Sequence, residues 1–234
     1  YLETLPAIVD ELDPSRPYYP GSPYSGSMDR HPGDDDHGCN HVWEAWFGTD
    51  YTRYRSRTPR FASEFGHQAP PAFATLRRAL PPDQLEQGAP ALRHHQKSPT
   101  GHERLYDLLE KHFPVPDTFA DWHFVTQLNQ VRALETGVEW FRSRFPSCTG
   151  TLYWQLNDCW PVLSWSAIDG DGRRKLLWYA TRRFYDGRLL TIQPEGDALA
   201  LHACNDTGSA WREDVSLSRV GFDGTVHAST QGTL

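Results

Sequence analysis

Cysteine is scarce: Cys39, Cys148, Cys159 and Cys204 are the only four in 234 residues. Their spacing matches neither a metal knuckle nor a dense disulfide framework, so they read as free thiols, with a single pair as the alternative. Lys and Arg never gather into a block that could track a phosphate backbone. Acidic residues outnumber basic ones by 30 to 23, for a formal net charge of -7, and nucleic acid is not an expected partner. No run approaches the apolar length of a membrane span, so no membrane partner is expected. The opening YLETLPAIVDEL lacks the basic start and apolar run of a signal peptide and reads as a helix already in progress. Location is unknown without the true N-terminus, with cytoplasm favoured. What is abundant is aromatic, with nine Trp and ten Tyr. Sugar sites favour such rings because carbohydrate C–H faces stack on them while the ring edge keeps a polar handle.

Hydrophobic spacing organises the chain. Residues 3–12 place Leu5, Ile8, Val9 and Leu12 on one side of a helix that Pro14 and Pro17 close. A short apolar run, RPYYP, leads into a long polar loop. HVWEAWF, FASEFG and GTLYWQLND are strand candidates, each ending in polar residues and a loop, the place where a (β/α) barrel builds its chemistry. PAFATLRRAL and GHERLYDLLEKHF are predicted helices. The strongest predicted helix is DTFADWHFVTQLNQVRALETGVEWFRSRF, capped by Asp117 or Thr118, with Phe119, Trp122, Val125, Leu128, Val131, Val138 and Phe141 recurring every three to four residues. Another helix is expected from about Arg174 to Phe184. After Asp186 the pattern becomes alternating and turn-rich, which predicts roughly three antiparallel strands and a second domain. An immunoglobulin-type sandwich needs about seven strands, so we expect a sandwich cut short.

From spacing alone Glu64 is a strand-end carboxylate, free to cap, to pair or to react. Gly66 follows it and would permit a tight exit from the strand. Alternation puts His41 and Trp43 on one face of their strand. Trp154 lies in the alternating TLYWQLN, with Asn157 and Asp158 at its end. Asp34, Asp35, Asp36, His37, Cys39 and His41 offer ligand types for zinc or calcium, but a Gly/Pro-containing loop does not fix such side chains relative to one another. No metal site is expected.

Three stretches carry a wider pattern: RFASEFGHQ, HHQKSPTGHERL and GTLYWQLNDCWPVLSWSAIDGDGRRKLLWYATRRF. Together they resemble the β-mannosidase branch of glycoside hydrolase family 2, and LDPSRPYYPGSP and HVWEAWFG extend the likeness back to the first residue. NDTGSAW and the FDG turn resemble the β-sandwich domain that follows the barrel there. SEFG by itself is a modest signal, but SEFG followed by YWQLND-WP--SWS is highly specific.

The resemblance implies an α/β fold: the C-terminal half of a (β/α)8 TIM barrel over residues 1–187, then the start of an immunoglobulin-like β-sandwich over 188–234. It implies retaining exo-β-mannosidase activity on a terminal β-D-mannose of an oligosaccharide or glycoside, with no cofactor. Glu64 matches the nucleophile of the family motif. Trp154 matches the tryptophan beneath the sugar, and His41, Trp43, Asn157 and Asp158 become substrate-binding candidates. The family's acid/base is a Glu in a stretch resembling GNNE, just upstream of the helix that YLETLPAIVDEL matches. That stretch is absent here. We therefore expect a fragment, inactive alone, whose partners are the remaining N-terminal domains of the same polypeptide. Another family 2 specificity (β-galactosidase or β-glucuronidase) and a non-catalytic carbohydrate-binding remnant are the alternatives. A buried carboxylate without a task argues against the remnant, because it costs stability unless paired.

Overall fold

The computed structural model describes residues 1–48 and 50–234. They form two compact units, Tyr1–Phe184 and Tyr185–Leu234.

In the first unit helices surround a small parallel β element. α1 (Thr4–Leu12) is followed by β1 (Asn40–His41), the short α2 (Glu44–Phe47), a 3-10 turn at Tyr51–Ser56 and β2 (Ala62–Glu64). Then come α3 (Phe73–Ala79), α4 (Pro90–His94), α5 (Gly101–Leu109), α6 (Phe119–Ser143) and α7 (Leu176–Phe184). β1 and β2 pair in parallel, Asn40 opposite Ala62 and His41 opposite Glu64. On the other side of β2, Ala62 N–H donates to Gly150 O and Leu152 N–H to Ala62 O, so residues 150–152 run parallel to it. β2 is thus the middle of three neighbouring parallel segments.

Two of the expected strands come out differently. HVWEAWF pairs with β2 only at its start, through His41 and the Val42 N–H to Glu64 O; from Glu44 the chain turns into α2, which buries Ala45 and Trp46 in the core. GTLYWQLND bridges β2 only at Thr151, with Trp154 N–H bonding to Phe65 O just beyond it, because β2 offers no longer edge; its far end instead bridges Asn157 to Ile168. RPYYP forms no strand among the described residues.

α6 starts as its cap predicts: the Thr118 hydroxyl accepts the Asp121 N–H at 3.1 Å and donates to the Asp121 carboxylate at 2.7 Å, satisfying one of the N–H groups left free at a helix start. Its apolar ends bury as expected, Trp122 at one end and Val138 and Phe141 at the other. Its middle does not. Val125, Leu128 and Val131 are only half-buried, whereas Thr126, Gln127, Asn129 and Gln130 are buried. For Gln127 and Gln130, as for buried His123, the reason is the strand-to-helix segment opposite, whose carbonyls need donors. His123 Nε2 reaches Pro71 O (2.7 Å), Gln127 Nε2 reaches Pro70 O (3.1 Å) and Gln130 Nε2 reaches His67 O (2.8 Å). The helix therefore holds the backbone just after Glu64.

Two apolar clusters flank that polar stretch. Val42, Tyr54, Ala62, Phe65, Val138 and Phe141 pack behind β2. Trp46, Leu76, Leu92, Leu105, Leu108 and Trp122 make the other. Gly137 is needed in α6 because a Cβ there would lie 2.8 Å from the Phe65 ring. α1, by contrast, has no buried residue, and Leu5, Ile8 and Leu12 of its apolar side are exposed.

In the second unit β3 (Arg188–Glu195) and β4 (Ala198–Asn205) form one antiparallel hairpin, and β5 (Asp214–Val220) and β6 (Val226–Thr233) form another. Leu189, Thr191 and Gln193 alternate inward along β3. Here four strands replace the three expected, because β6 (VHASTQGT) is exposed along its whole length and shows no apolar alternation. The four cysteines are free thiols.

Candidate active site

Glu64 ends β2 with its side chain 22% exposed. Its Oε1 accepts a hydrogen bond from Trp43 Nε1 at 2.9 Å. His41 Nδ1 lies 3.5 Å from the same oxygen, at ion-pair range. Among the described residues no hydrogen bond reaches Oε2. One oxygen is anchored and the other is left to act.

His41 and Trp43 do face the same group, though not by alternation along one strand. Trp43 is the residue at the N-terminus of α2, and its indole reaches Glu64 from there. The Trp43 ring packs edge-on to Trp165, ring centres 5.7 Å apart, and Trp165 packs in turn on Trp46. Trp46 itself is fully buried and belongs to the core. The far side of His41 is also occupied: Nε2 lies 2.9 Å from Ser22 Oγ, which lies 2.8 Å from Ser63 Oγ. Neither serine was singled out from the sequence, Ser22 because it lies in the long polar loop and Ser63 because nothing marks it beside Glu64.

Gly66 is required for a reason other than the one expected. Its φ is not left-handed. Instead a Cβ would meet Trp154 O at 2.3 Å and Trp165 Cδ1 at 3.0 Å. The glycine lets the strand after Glu64 and the segment carrying Trp154 touch through their backbones. Trp154 is 43% exposed, and its backbone is tied to Phe65 next to the candidate nucleophile.

Asn157 and Asp158 stand apart from this cluster. Asn157 is exposed, and its amide donates to Asp158 O at 3.3 Å. The Asp158 carboxylate accepts from Ser164 Oγ (2.8 and 2.6 Å), from Gln155 Nε2 (2.9 Å) and from Ser166 Oγ. It clamps the loop that carries Trp160 and Trp165. Of the HHQK stretch, His95 stacks on Trp160 (5.1 Å), Lys97 lies over the same ring (5.6 Å) and Gln96 donates to Gln68 at 2.8 Å. The acidic loop is spent on its own anchorage. Asp34 pairs with His37 at 3.0 Å, and Asp35 takes the Arg57 guanidinium through both oxygens.

Two buried titratable groups lie close behind. His67 is fully buried, and desolvation pushes it down to about 4. Lys175 is also fully buried, and desolvation lowers it to about 7 against the opposing pull of Asp158 and Asp169. Its Nζ donates to Ala69 O (3.1 Å) and Ser164 O (3.2 Å), the two carbonyls of one isolated bridge. That bridge joins the segment after Glu64 to the tryptophan-bearing loop.

No protein-family model matches the chain. β-Mannosidase B of Thermothelomyces thermophilus is 36% identical over 198 residues, covering 78% of this chain and 23% of that protein. β-Mannosidase of Capra hircus is 28% identical over 230 residues, 89% of this chain and 26% of its own length. The crystal structure of a β-D-mannosidase from Dictyoglomus thermophilum superposes with a TM-score of 0.88 at 32% identity, over 99% of this chain and 29% of that one. The exo-chitosanase CsxA of Amycolatopsis orientalis shares the fold at 21% identity, with a TM-score of 0.63 over 82% of this chain and 24% of its own. The chain thus spans about a quarter of the length of the relatives it matches. The relatives are β-mannosidases, a class of glycoside hydrolase. This chain is similar to one segment of them.

Proposed function

We propose that the polypeptide containing this chain is a retaining exo-β-mannosidase and that Glu64 is its nucleophile. The observation that carries this reading is the uneven hold on one carboxylate at a parallel strand's end, Oε1 bound by Trp43 and faced by His41 and Oε2 open. In a retaining glycosidase such an oxygen attacks the anomeric carbon while a second, protonated carboxyl about 5–5.5 Å away gives its proton to the leaving oxygen. The C–O bond to the leaving group breaks and a mannosyl ester forms on Glu64. Water, giving its proton to the same second group, then releases mannose with its configuration kept. That second group is a Glu supplied from upstream in the polypeptide. The exposed Trp154 indole forms the floor beneath the sugar, Trp43 and His41 orient the nucleophile, and Asn157 is an outer substrate contact. Asp158 acts by holding the Trp160–Trp165 loop. The substrate is a β-mannoside oligosaccharide or glycoside, and no step requires a cofactor.

In this reading residues 1–187 are the second half of an eight-stranded barrel, strands 5 to 8. β1, β2 and the segment from Gly150 are three neighbours in it. Residues 188–234 open an immunoglobulin-like sandwich whose further strands follow in the polypeptide, while the partner domains precede this chain on the N-terminal side.

The test is covalent trapping in the full-length polypeptide. A 2-deoxy-2-fluoro-mannosyl donor slows both steps and should leave its sugar on the peptide containing FASEFGHQ, and Glu64→Gln should abolish the label. A label on another carboxylate, or a first product of inverted configuration, would overturn the assignment.

A further inference from the structure

A serine hydroxyl has one hydrogen to give. Ser63 Oγ lies 3.1 Å from Asn40 O and 2.8 Å from Ser22 Oγ. The carbonyl can only accept, so Ser63 spends its hydrogen there and must accept from Ser22. Ser22 has then spent its own hydrogen, and at 2.9 Å from His41 Nε2 it can only accept. The reverse direction would forfeit the bond to Asn40 O. One order of donors makes every contact, and in it the ring proton of His41 sits on Nε2.

We propose that Ser22 and Ser63 are positioning residues for the reaction at Glu64: they fix the His41 tautomer and so turn an unprotonated Nδ1 of the neutral ring toward the carboxylate. This rests on the reading of Glu64 as nucleophile. Nδ1 lies 3.5 Å from Oε1. A bare nitrogen and an ionised oxygen at that distance are two acceptors without a hydrogen between them. One additional proton carried by Nδ1 on that line resolves the conflict and leaves Glu64 the ionised carboxylate that attacks. Oε1 also accepts the Trp43 N–H. That proton therefore adds to the hold on Oε1 and leaves Oε2 as the oxygen that attacks. A serine pair at the far side of an imidazole thus selects which carboxylate oxygen is the nucleophile.

The experiment uses the full-length polypeptide and an aryl β-mannoside. Ser22 is exposed, so Ser22→Ala should leave folding unaltered. It should lower kcat about tenfold with KM changed less than about twofold, and Ser22→Thr, which keeps the hydroxyl, should restore most of the rate. Ser63→Ala should fall between them. In a His41→Ala background Ser22→Ala should cost nothing further, because it acts only through the ring. Neutron diffraction should place a deuteron on Nε2 of the parent. A deuteron on Nδ1 alone, or full additivity of the Ser22 and His41 changes, would overturn the inference even with the fluorosugar label on Glu64. A label elsewhere would instead remove the nucleophile reading and this inference with it.

Discussion

Replacing Gly66 by Ala tests how the site is held together. The added Cβ would lie 2.3 Å from Trp154 O, 3.0 Å from Trp165 Cδ1 and 3.4 Å from Trp43 Cη2. Ordinary contact begins near 3.4 Å, so the carbonyl must retreat by roughly 1 Å. It cannot do so alone, because Trp154 N–H is bound to Phe65 O at 2.9 Å and Tyr54 Oη donates to Gly66 O at 3.2 Å. Overpacking of this kind costs about 1–3 kcal/mol. Against it stands a gain of about 0.4–1 kcal/mol from the stiffer unfolded chain, since the φ of Gly66 is not one that Ala resists. The net expectation is a loss of about 1–2 kcal/mol. Activity should suffer more, because the displaced atoms belong to Trp154 and Trp165 on one side and follow Glu64 on the other. A shift of about 1 Å in reacting groups can cost about a hundredfold. The assay is the denaturant midpoint and kcat/KM of full-length Gly66→Ala beside Gly208→Ala, whose Cβ would meet nothing within 4 Å. Gly66→Ala as stable and as active as Gly208→Ala would refute the close approach as a constraint.

Trp154→Ala in the full-length polypeptide should reduce kcat/KM at least about tenfold, some 1.4 kcal/mol of transition-state binding, with the fold intact; unchanged kinetics would make Trp154 a packing residue. Lys175 should give stability a pH slope. Desolvation holds it near 7 in the fold against 10.5 unfolded, so between those values the unfolded chain binds the extra proton. Stability should then rise with pH across that window by up to about 1.4 kcal/mol per unit and flatten below about 7. Thermal midpoints should lose the slope in Lys175→Met, while the same slope in the variant would exclude Lys175 as its source. The charged and titratable groups that act on Lys175 are Asp158 and Asp169, with His67 and His123.

Much of the candidate site's local structure was legible because it is local. FASEFG shows its strand and its carboxylate within six residues, and Thr118 and the apolar ends of α6 mark that helix. What escaped is what depends on a partner distant in sequence. Gln127, Gln130 and His123 sit where a period of 3.6 allows polar residues to face water, yet they are buried because the carbonyls of 67–71 lie opposite. No periodicity can announce that demand. Trp43 reached Glu64 although the strand that was to carry it ends two residues earlier. The face was right and the route was wrong, since a helix N-terminus can aim a long side chain as well as a strand can. β6 is the opposite failure: a strand defined only by its register with β5, Asp214 opposite Thr233 through Val220 opposite Val226, leaves no apolar alternation to read.

Lys175 shows the same limit where it matters for function. In SAIDGDGRRK it looks like one more solvated charge, yet it is 1% exposed. Burying a cation is expensive unless its hydrogens find acceptors, and here two backbone carbonyls supply them, Ala69 O and Ser164 O. Each carbonyl already takes a hydrogen bond from the other's N–H. The lysine is therefore not needed to satisfy them, and an apolar side chain of like size would spare the desolvation. Its place has to be explained by what it joins. Ala69 follows Glu64 by five residues, and Ser164 precedes Trp165, which packs on Trp43, the donor to Glu64. One buried amine thus closes a ring from the Glu64 strand through the tryptophan loop and back to the hydrogen bond on Glu64. A constraint of that kind is a property of the loop closed, and no single residue in it carries the signal.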